Sequence, residues 1–174
     1  MTDIRWLTAQ EQRAWRSFLG ACQVFFTAVD GQLQRDAQIP HAYYEILVRL
    51  SEAPGRSLRM SQLAEAAAAS KSRISHAVAR LEERGWVRRV GCDADRRGQF
   101  AELTAAGYAA LERAAPGHVE QVRRSLFDAL TPEQVGQLKR ISDAMIAAAG
   151  PAAAGDAACA GDEDLAPAVS PAGA

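Results

Sequence analysis

Seven residues in one short stretch have the types and spacing to grip a polyanion: Ser70, Lys71, Ser72, Arg73, Ser75, His76 and Arg80. Ile74, Val78 and Leu81 recur at i, i+4 and i+7, which gathers them on one helical face and leaves the polar seven opposite. That face holds small hydroxyls and cations where an ordinary solvated helix carries a mixture of Glu and Lys. The hydroxyls and the free amides of a helix start donate to phosphate oxygens. Arginine pairs in bidentate fashion with guanine O6 and N7, so Arg73 and His76, in the first half of the helix, are the candidates for base edges. Arg80, further along, is placed for phosphate. The competing reading is a plain solvated face.

The elements that must position these groups follow from local signals. Ser70 is an N-cap type, and Gly85 follows Arg84 where a helix C-terminus favours glycine. Val87 to Val90 reads as a strand, Asp93 to Gly98 as a polar turn, and Phe100 to Leu103 as the returning strand. Arg96 and Arg97 fall at the tip, with Asp95 beside them. An arginine there suits the negative potential of a narrow minor groove; the alternative is a surface turn with an exposed salt bridge. Arg88 and Arg89 occupy adjacent strand positions and so point to opposite faces, only one of which can face a duplex. Thr104 can cap the following helix.

Composition bounds the rest. The 174 residues suffice for one domain with a good core or for two small subdomains. Net charge is −1, but the segment from Gly150 holds four acids and no base, leaving 20 basic against 17 acidic residues elsewhere. Ser70 to Gly98 alone holds eight Lys or Arg against four acids. No run of 18 apolar residues exists and the first residues do not read as a signal peptide, which predicts a soluble intracellular protein. Cys22, Cys92 and Cys159 form no framework, and His41, His76 and His118 have no metal-ligand spacing. No cofactor is expected. No nucleophile–base pair or phosphate-cradling glycine loop appears, so an enzyme is not expected either.

In chain order, Thr8 and Glu11 form a capping box for a long helix to about Arg35. Its stripe of Trp15, Phe18, Leu19, Cys22, Phe25, Phe26, Val29 and Leu33 has few intrachain partners in so small a chain, which favours a subunit interface. Ile39-Pro40 starts a second helix, with Tyr44, Leu47 and Leu50 on one face. Ser57 to Arg59 is a short strand able to join the hairpin. Ser61 is expected to cap a third helix, followed by an alanine-rich bend. A long helix from Thr104 should kink or break at Pro116. Thr131, Pro132 and Gln134 start a last helix ending near Gly150. The Ala/Gly/Pro-rich remainder reads as a disordered acidic tail.

These pieces, Y-E-I-L from Tyr44, L-R-M-S-Q-L-A from Leu58, the stretch from Ser70, and D-A-D-R-R-G-Q-F-A-E-L-T-A-A-G from Asp93, resemble the MarR (multiple antibiotic resistance regulator) family of bacterial transcription factors. The resemblance spans about Thr8 to Ala149. Its alanine and arginine content suggests a GC-rich, actinobacterial genome. It implies a mainly α fold with a small β-hairpin wing: a winged helix-turn-helix over residues 39–103, dimerisation helices over 1–38 and 104–149, and the tail over 150–174. It implies a cytoplasmic, nucleoid-associated homodimer that binds a pseudo-palindromic duplex as a repressor. Ser70 onward matches the recognition helix, Arg97 the wing arginine that enters the minor groove, and Asp95 an acid that holds it. Small aromatic or lipophilic effectors bind relatives between the two domains. Trp15, Phe18, Cys22, His41, Tyr43 and Tyr44 are placed to line such a pocket, with ordinary packing as the competing reading. Some relatives sense oxidants through a cysteine; Cys22 on the apolar stripe suggests a buried thiol, and Cys92 a more exposed one. The alternative function is a helical scaffold whose winged helix no longer binds DNA.

Overall fold

The computed structural model describes the backbone of residues 4–92 and 95–149. Six α-helices and a small sheet follow in the order α1 (Ala9–Ala37), α2 (His41–Glu52), β1 (Ser57–Arg59), α3 (Met60–Ala66), α4 (Lys71–Glu83), β2 (Val87–Cys92), β3 (Asp95–Leu103), α5 (Ala105–Ser125) and α6 (Pro132–Ala149). The mainly α class with a β-hairpin is the one the sequence predicts. The expected tail, from Gly150, lies outside the described residues.

Helix α1 starts where its capping box places it: Glu11 N–H donates to Thr8 Oγ1 at 3.2 Å, and Thr8 N–H to Glu11 Oε2 at 2.7 Å. That reciprocal bond holds the Glu11 carboxyl below its usual range. The helix ends at Gln38, whose backbone enters the left-handed region at φ 55°. Helix α2 then begins one residue later than Ile39-Pro40 suggests, with Pro40 as N-cap. Proline offers no capping side chain, so Asp30 of α1 does that work across 11 residues, accepting the His41 N–H at 2.8 Å.

Strand β1 pairs with β3 and β3 with β2, all antiparallel, in the order β1-β3-β2. Leu58 faces Ala101 and Arg89 likewise faces Ala101 from the other side. Both hairpin strands run further than their apolar residues indicate. Strand β3 starts at Asp95, so most of the expected Asp93–Gly98 turn is strand, with a register shift at Gly91/Cys92. Backbone pairing continues there without help from apolar side chains.

Two helix expectations need correction. Ser61 does not cap α3; β1 runs straight into the helix, Arg59 is the N-cap, and its N–H donates to Gln62 Oε1 at 3.1 Å. Helix α5 does not break at Pro116 but continues from Ala105 to Ser125. Packing against α1 holds it through the missing hydrogen bond. Gly117 makes that approach possible, since a Cβ there would lie 3.0 Å from Gln32 Nε2. Helix α6 starts as predicted, with Gln134 N–H on Thr131 Oγ1 and Thr131 N–H on Gln134 Oε1.

The core lies under the hairpin and between α2, α4 and α5. Leu47, Leu50, Leu63, Val78, Leu81 and Leu111 are each at most 1% exposed. At about 2 kcal/mol per fully buried aliphatic side chain, this cluster dominates the stability of the winged unit. From α1 it includes only Val29 and Leu33 among its fully buried apolar members. Further towards its N-terminus, α1 leaves Trp15, Phe18, Leu19 and Phe26 exposed.

Candidate nucleic-acid interface

Ser70 caps α4, accepting the Arg73 N–H at 3.3 Å, and its Oγ lies 3.0 Å from Ser72 Oγ. Ile74, Ala77, Val78 and Leu81 face the core, while Ser70, Lys71, Ser72, Arg73, Ser75, His76 and Arg80 are all exposed. Binary patterning thus sorts the helix as its spacing dictates: one face anchored, the other a row of hydroxyls, imidazole and guanidinium. Arg80 is not a free cation. Its guanidinium bonds Glu83 at 2.8 Å, which raises its pKa through that bond and its charge. Among the described residues Arg73 and His76 make no ion pair, consistent with groups held for an external partner.

The hairpin packs beside α4. Arg88 and Arg89 point apart as their adjacency requires. Arg88 bonds Glu102 of β3 at 2.7 Å, and that pairing raises its pKa. Arg89 turns towards α4 and is half-buried there, bonded to Ser75 and Glu82. The backbones of Asp95, Arg96 and Arg97 lie in β3, at the far end of the hairpin. Their side chains, and that of Cys92, lie outside the described residues.

The hairpin is fixed to α5 at one close contact. Thr104 Oγ1 accepts the Gly107 N–H at 3.0 Å and donates to the backbone of Gly85 and Trp86. Gly107 packs so tightly that a Cβ would fall 2.1 Å from Trp86 O. Arg84, at the end of α4, reaches back to the Gln38 carbonyl at 2.9 Å and lies 5.1 Å from the Trp86 ring centre. Helix α4 is therefore tied to the end of α1.

Of the six residues expected to line an effector pocket, the structure brings His41 and Tyr43 to a cavity of about 430 Å³ between α2 and α4. That cavity is lined also by Glu45, Arg49, Arg73 and His76. Trp15 and Phe18 stand exposed on α1, their rings 6.3 Å apart, and Cys22 is half-buried on the same helix in the single chain. Tyr44 is 4% exposed and packs at 4.3 Å from the His118 ring. Burial pushes its hydroxyl up to about 12.

Sequence reasoning missed this aromatic junction. His118 of α5 lies between Tyr44 and His41, its ring 5.8 Å from the latter, and Phe26 of α1 closes the row. Burial, then the neighbouring His41, lowers His118 to about 4, so it is neutral at neutral pH. Beside it, Gln32 is 3% exposed and bonds Asp36 at 2.8 Å. No spacing marks these residues in the sequence, because they come from three helices. Among the described residues no group of three or more His, Cys, Asp or Glu could hold a metal, and no helix is long and apolar enough to cross a membrane.

A three-helix unit closed by a three-stranded sheet, with an exposed basic helix beside the hairpin, defines a winged helix-turn-helix protein. Residues 37–98 match the model of the MarR family. Sco3205, a MarR family transcriptional regulator from Streptomyces coelicolor solved in complex with DNA, is 54% identical, with a TM-score of 0.80 over 83% of this chain and 91% of that one. AbsC, another MarR family regulator from that organism, is 43% identical, with a TM-score of 0.75 over 79% of this chain and 93% of the other. The HTH-type transcriptional regulator PecS of Dickeya dadantii (strain 3937) is 36% identical over 72 residues, 41% of each chain, so the match spans less than half the length of that relative. The chain belongs to the MarR family.

Proposed function

We propose that the protein is a sequence-specific DNA-binding transcriptional regulator. It acts as a homodimer, with α4 of each copy in a major groove and the hairpin tip in the adjacent minor groove. The observation that carries this reading is the exposed face of α4, where Arg73 and His76 stand among serines and no described acid pairs with them. The DNA bound to Sco3205, at 54% identity, supports it. Ser70, Lys71, Ser72 and Ser75 contact phosphate in this reading, Arg73 and His76 read bases, and Arg97, set by Asp95, probes the minor groove with Arg96 beside it. Arg80 reaches phosphate only by leaving Glu83.

Two such units, held by α1, α5 and α6, would read half-sites about one helical turn apart, roughly 10 bp. The protein is a cytoplasmic repressor, released by a small aromatic or lipophilic effector. The cavity lined by His41, Tyr43, Arg73 and His76 supports release, because a molecule bound there touches the reading residues themselves. It does not support a pocket built on Trp15 and Phe18.

Titration of a labelled duplex, enriched by the protein from a randomised library, tests the reading. Binding should weaken steeply with salt, and Arg73→Ala and Arg97→Ala should each reduce preference for the enriched sequence. A protein that enriches no sequence, and that keeps its protein partners after charge reversal at both positions, is the non-DNA-binding scaffold instead; duplex binding that survives both reversals overturns the assignment of these residues.

A further inference from the structure

Arg89 looks from its sequence position like one more cation for phosphate. Its surroundings say otherwise. Arg89 Nη2 donates to the backbone carbonyl of Ser75 at 2.7 Å and lies 3.4 Å from Ser75 Oγ. Its Nε is 3.1 Å from Glu82 Oε2, an ion pair rather than an aligned hydrogen bond. Glu82 Oε1 accepts the backbone N–H of Arg89 itself at 2.8 Å. One side chain of β2 and one of α4 thus make a closed set of contacts, with both side chains about three-tenths exposed.

Where these bonds land matters more than how many there are. Ser75 lies between Arg73 and His76 in the reading face, and its carbonyl is in mid-helix. A carbonyl oxygen has a second lone pair beyond the one used in the helix, and Arg89 takes it. Charge-assisted bonds of this kind are short and directional. Arg89 also sits three residues before Cys92, on the strand that leads to the hairpin tip. Its partner across the ladder is Ala101 of β3, which is fully buried, so the strand it rides on is anchored to the core. Glu82 meanwhile offsets its charge, which leaves it poorly suited to hold a phosphate.

We infer that Arg89 is a positioning residue that fixes the hairpin and the reading helix as one rigid body, so that the two reach adjacent grooves in a set relation. This rests on the DNA-binding reading above. Ordering two probes before binding removes a cost that would otherwise be met at the duplex. The effect belongs to sequence-specific binding, where both probes must dock together. It should be nearly absent from non-specific binding, where phosphate contacts adjust independently.

The test uses the full chain, the duplex that the wild-type protein enriches from a randomised library, and a scrambled duplex of equal length. Circular dichroism and gel filtration first establish that each variant is folded. Arg89→Ala should lose about tenfold in affinity for the enriched duplex and less than about twofold for the scrambled one, with the slope against log salt essentially unchanged. The loss caused by Arg97→Ala should shrink severalfold in the Arg89→Ala background, because an unclamped wing contributes less; a role in stability alone would leave that loss unaltered. Arg89→Lys keeps the charge and one bond to Ser75 but cannot also span Glu82, so it should restore only part of the preference. It also serves if Arg89→Ala does not fold. Equal losses on both duplexes with a slope smaller by about one would mean that Arg89 grips phosphate itself, and would overturn the inference. So would an unchanged preference, or full rescue by lysine. If the wild-type protein enriches no duplex, the DNA-binding reading fails, a result distinct from failure of the clamp alone.

Discussion

Phe18→Ala should separate two copies of the chain without unfolding either. Phe18 is 43% exposed in the single chain, and its ring touches Trp15, itself 51% exposed, on the outer face of α1. A phenylalanine side chain presents about 200 Å², so roughly 85 Å² of Phe18 awaits cover. At about 25 cal/mol per Å² this is worth about 2 kcal/mol, and two-fold symmetry places the same ring in the interface twice. Allowing for the methyl that alanine keeps, the dimer should lose about 3 kcal/mol, a rise of about a hundredfold in its dissociation constant. Sedimentation equilibrium from nanomolar to micromolar concentration measures this, with far-ultraviolet circular dichroism as the check on folding. An unchanged dissociation constant would refute the assignment of this face to the interface. So would a wild-type chain that stays monomeric at tens of micromolar.

Arg73→Ala should cost about 1–3 kcal/mol on the enriched duplex and relax the preference at one base pair per half-site, read from the sequences the variant enriches. Gly107→Ala, although alanine favours helix, should destabilise the fold by about 1–3 kcal/mol in urea titration, because its Cβ would meet Trp86 O at 2.1 Å and backbone must move. His118 should make stability fall with acid. Above about pH 6.5 it is neutral in both states. Between there and its folded value of about 4 the unfolded chain takes a proton that the native site refuses, so stability is lost as pH falls through that window and no further below it. Discounted for its partial exposure, the loss is about 2 kcal/mol. His118→Gln should flatten the urea midpoint across pH 4–6.5 relative to wild type; an identical slope would refute the account.

Much of this was readable because it is local. Thr8 with Glu11, Ser70 before Ile74, and Thr131-Pro132 with Gln134 announce helix starts through bonds made within four residues. The α4 faces follow from period alone. What stayed hidden is non-local. Asp30 caps α2 from another helix, 11 residues away. Pro116 reads locally as a kink or a short break, yet α5 stays helical through it where it packs on α1. The His41–His118–Tyr44 junction draws two residues from α2 and one from α5, far apart in the chain. For Arg89, alternation left two faces open, and only the hairpin's position beside α4 decides between them. A faint signal existed in the Glu82-Glu83 pair, six to seven residues earlier, the acids that close an otherwise basic and hydroxyl-rich helix.

The same geometry explains why so long an α1 is present in so small a protein. Its last turns are held: Val29, Gln32 and Leu33 are buried, Asp30 caps α2, and Gln38 receives Arg84 from the end of α4. Its first five turns touch little of their own chain, and an isolated helix of that length is marginal in water. Their order must come from elsewhere, and an apolar stripe of Trp15, Phe18, Leu19 and Phe26 is what a second identical helix bundle would cover. The Arg84–Gln38 bond closes the other end of the helix. It joins the end of α4 to the residue where α1 stops. The row Phe26, His41, His118 and Tyr44 meanwhile packs α1 against α2 and α5. The C-terminal part of α1 is thus held to its own chain at two packed contacts, one polar with the end of α4 and one aromatic with α2 and α5, while its first turns wait for a partner.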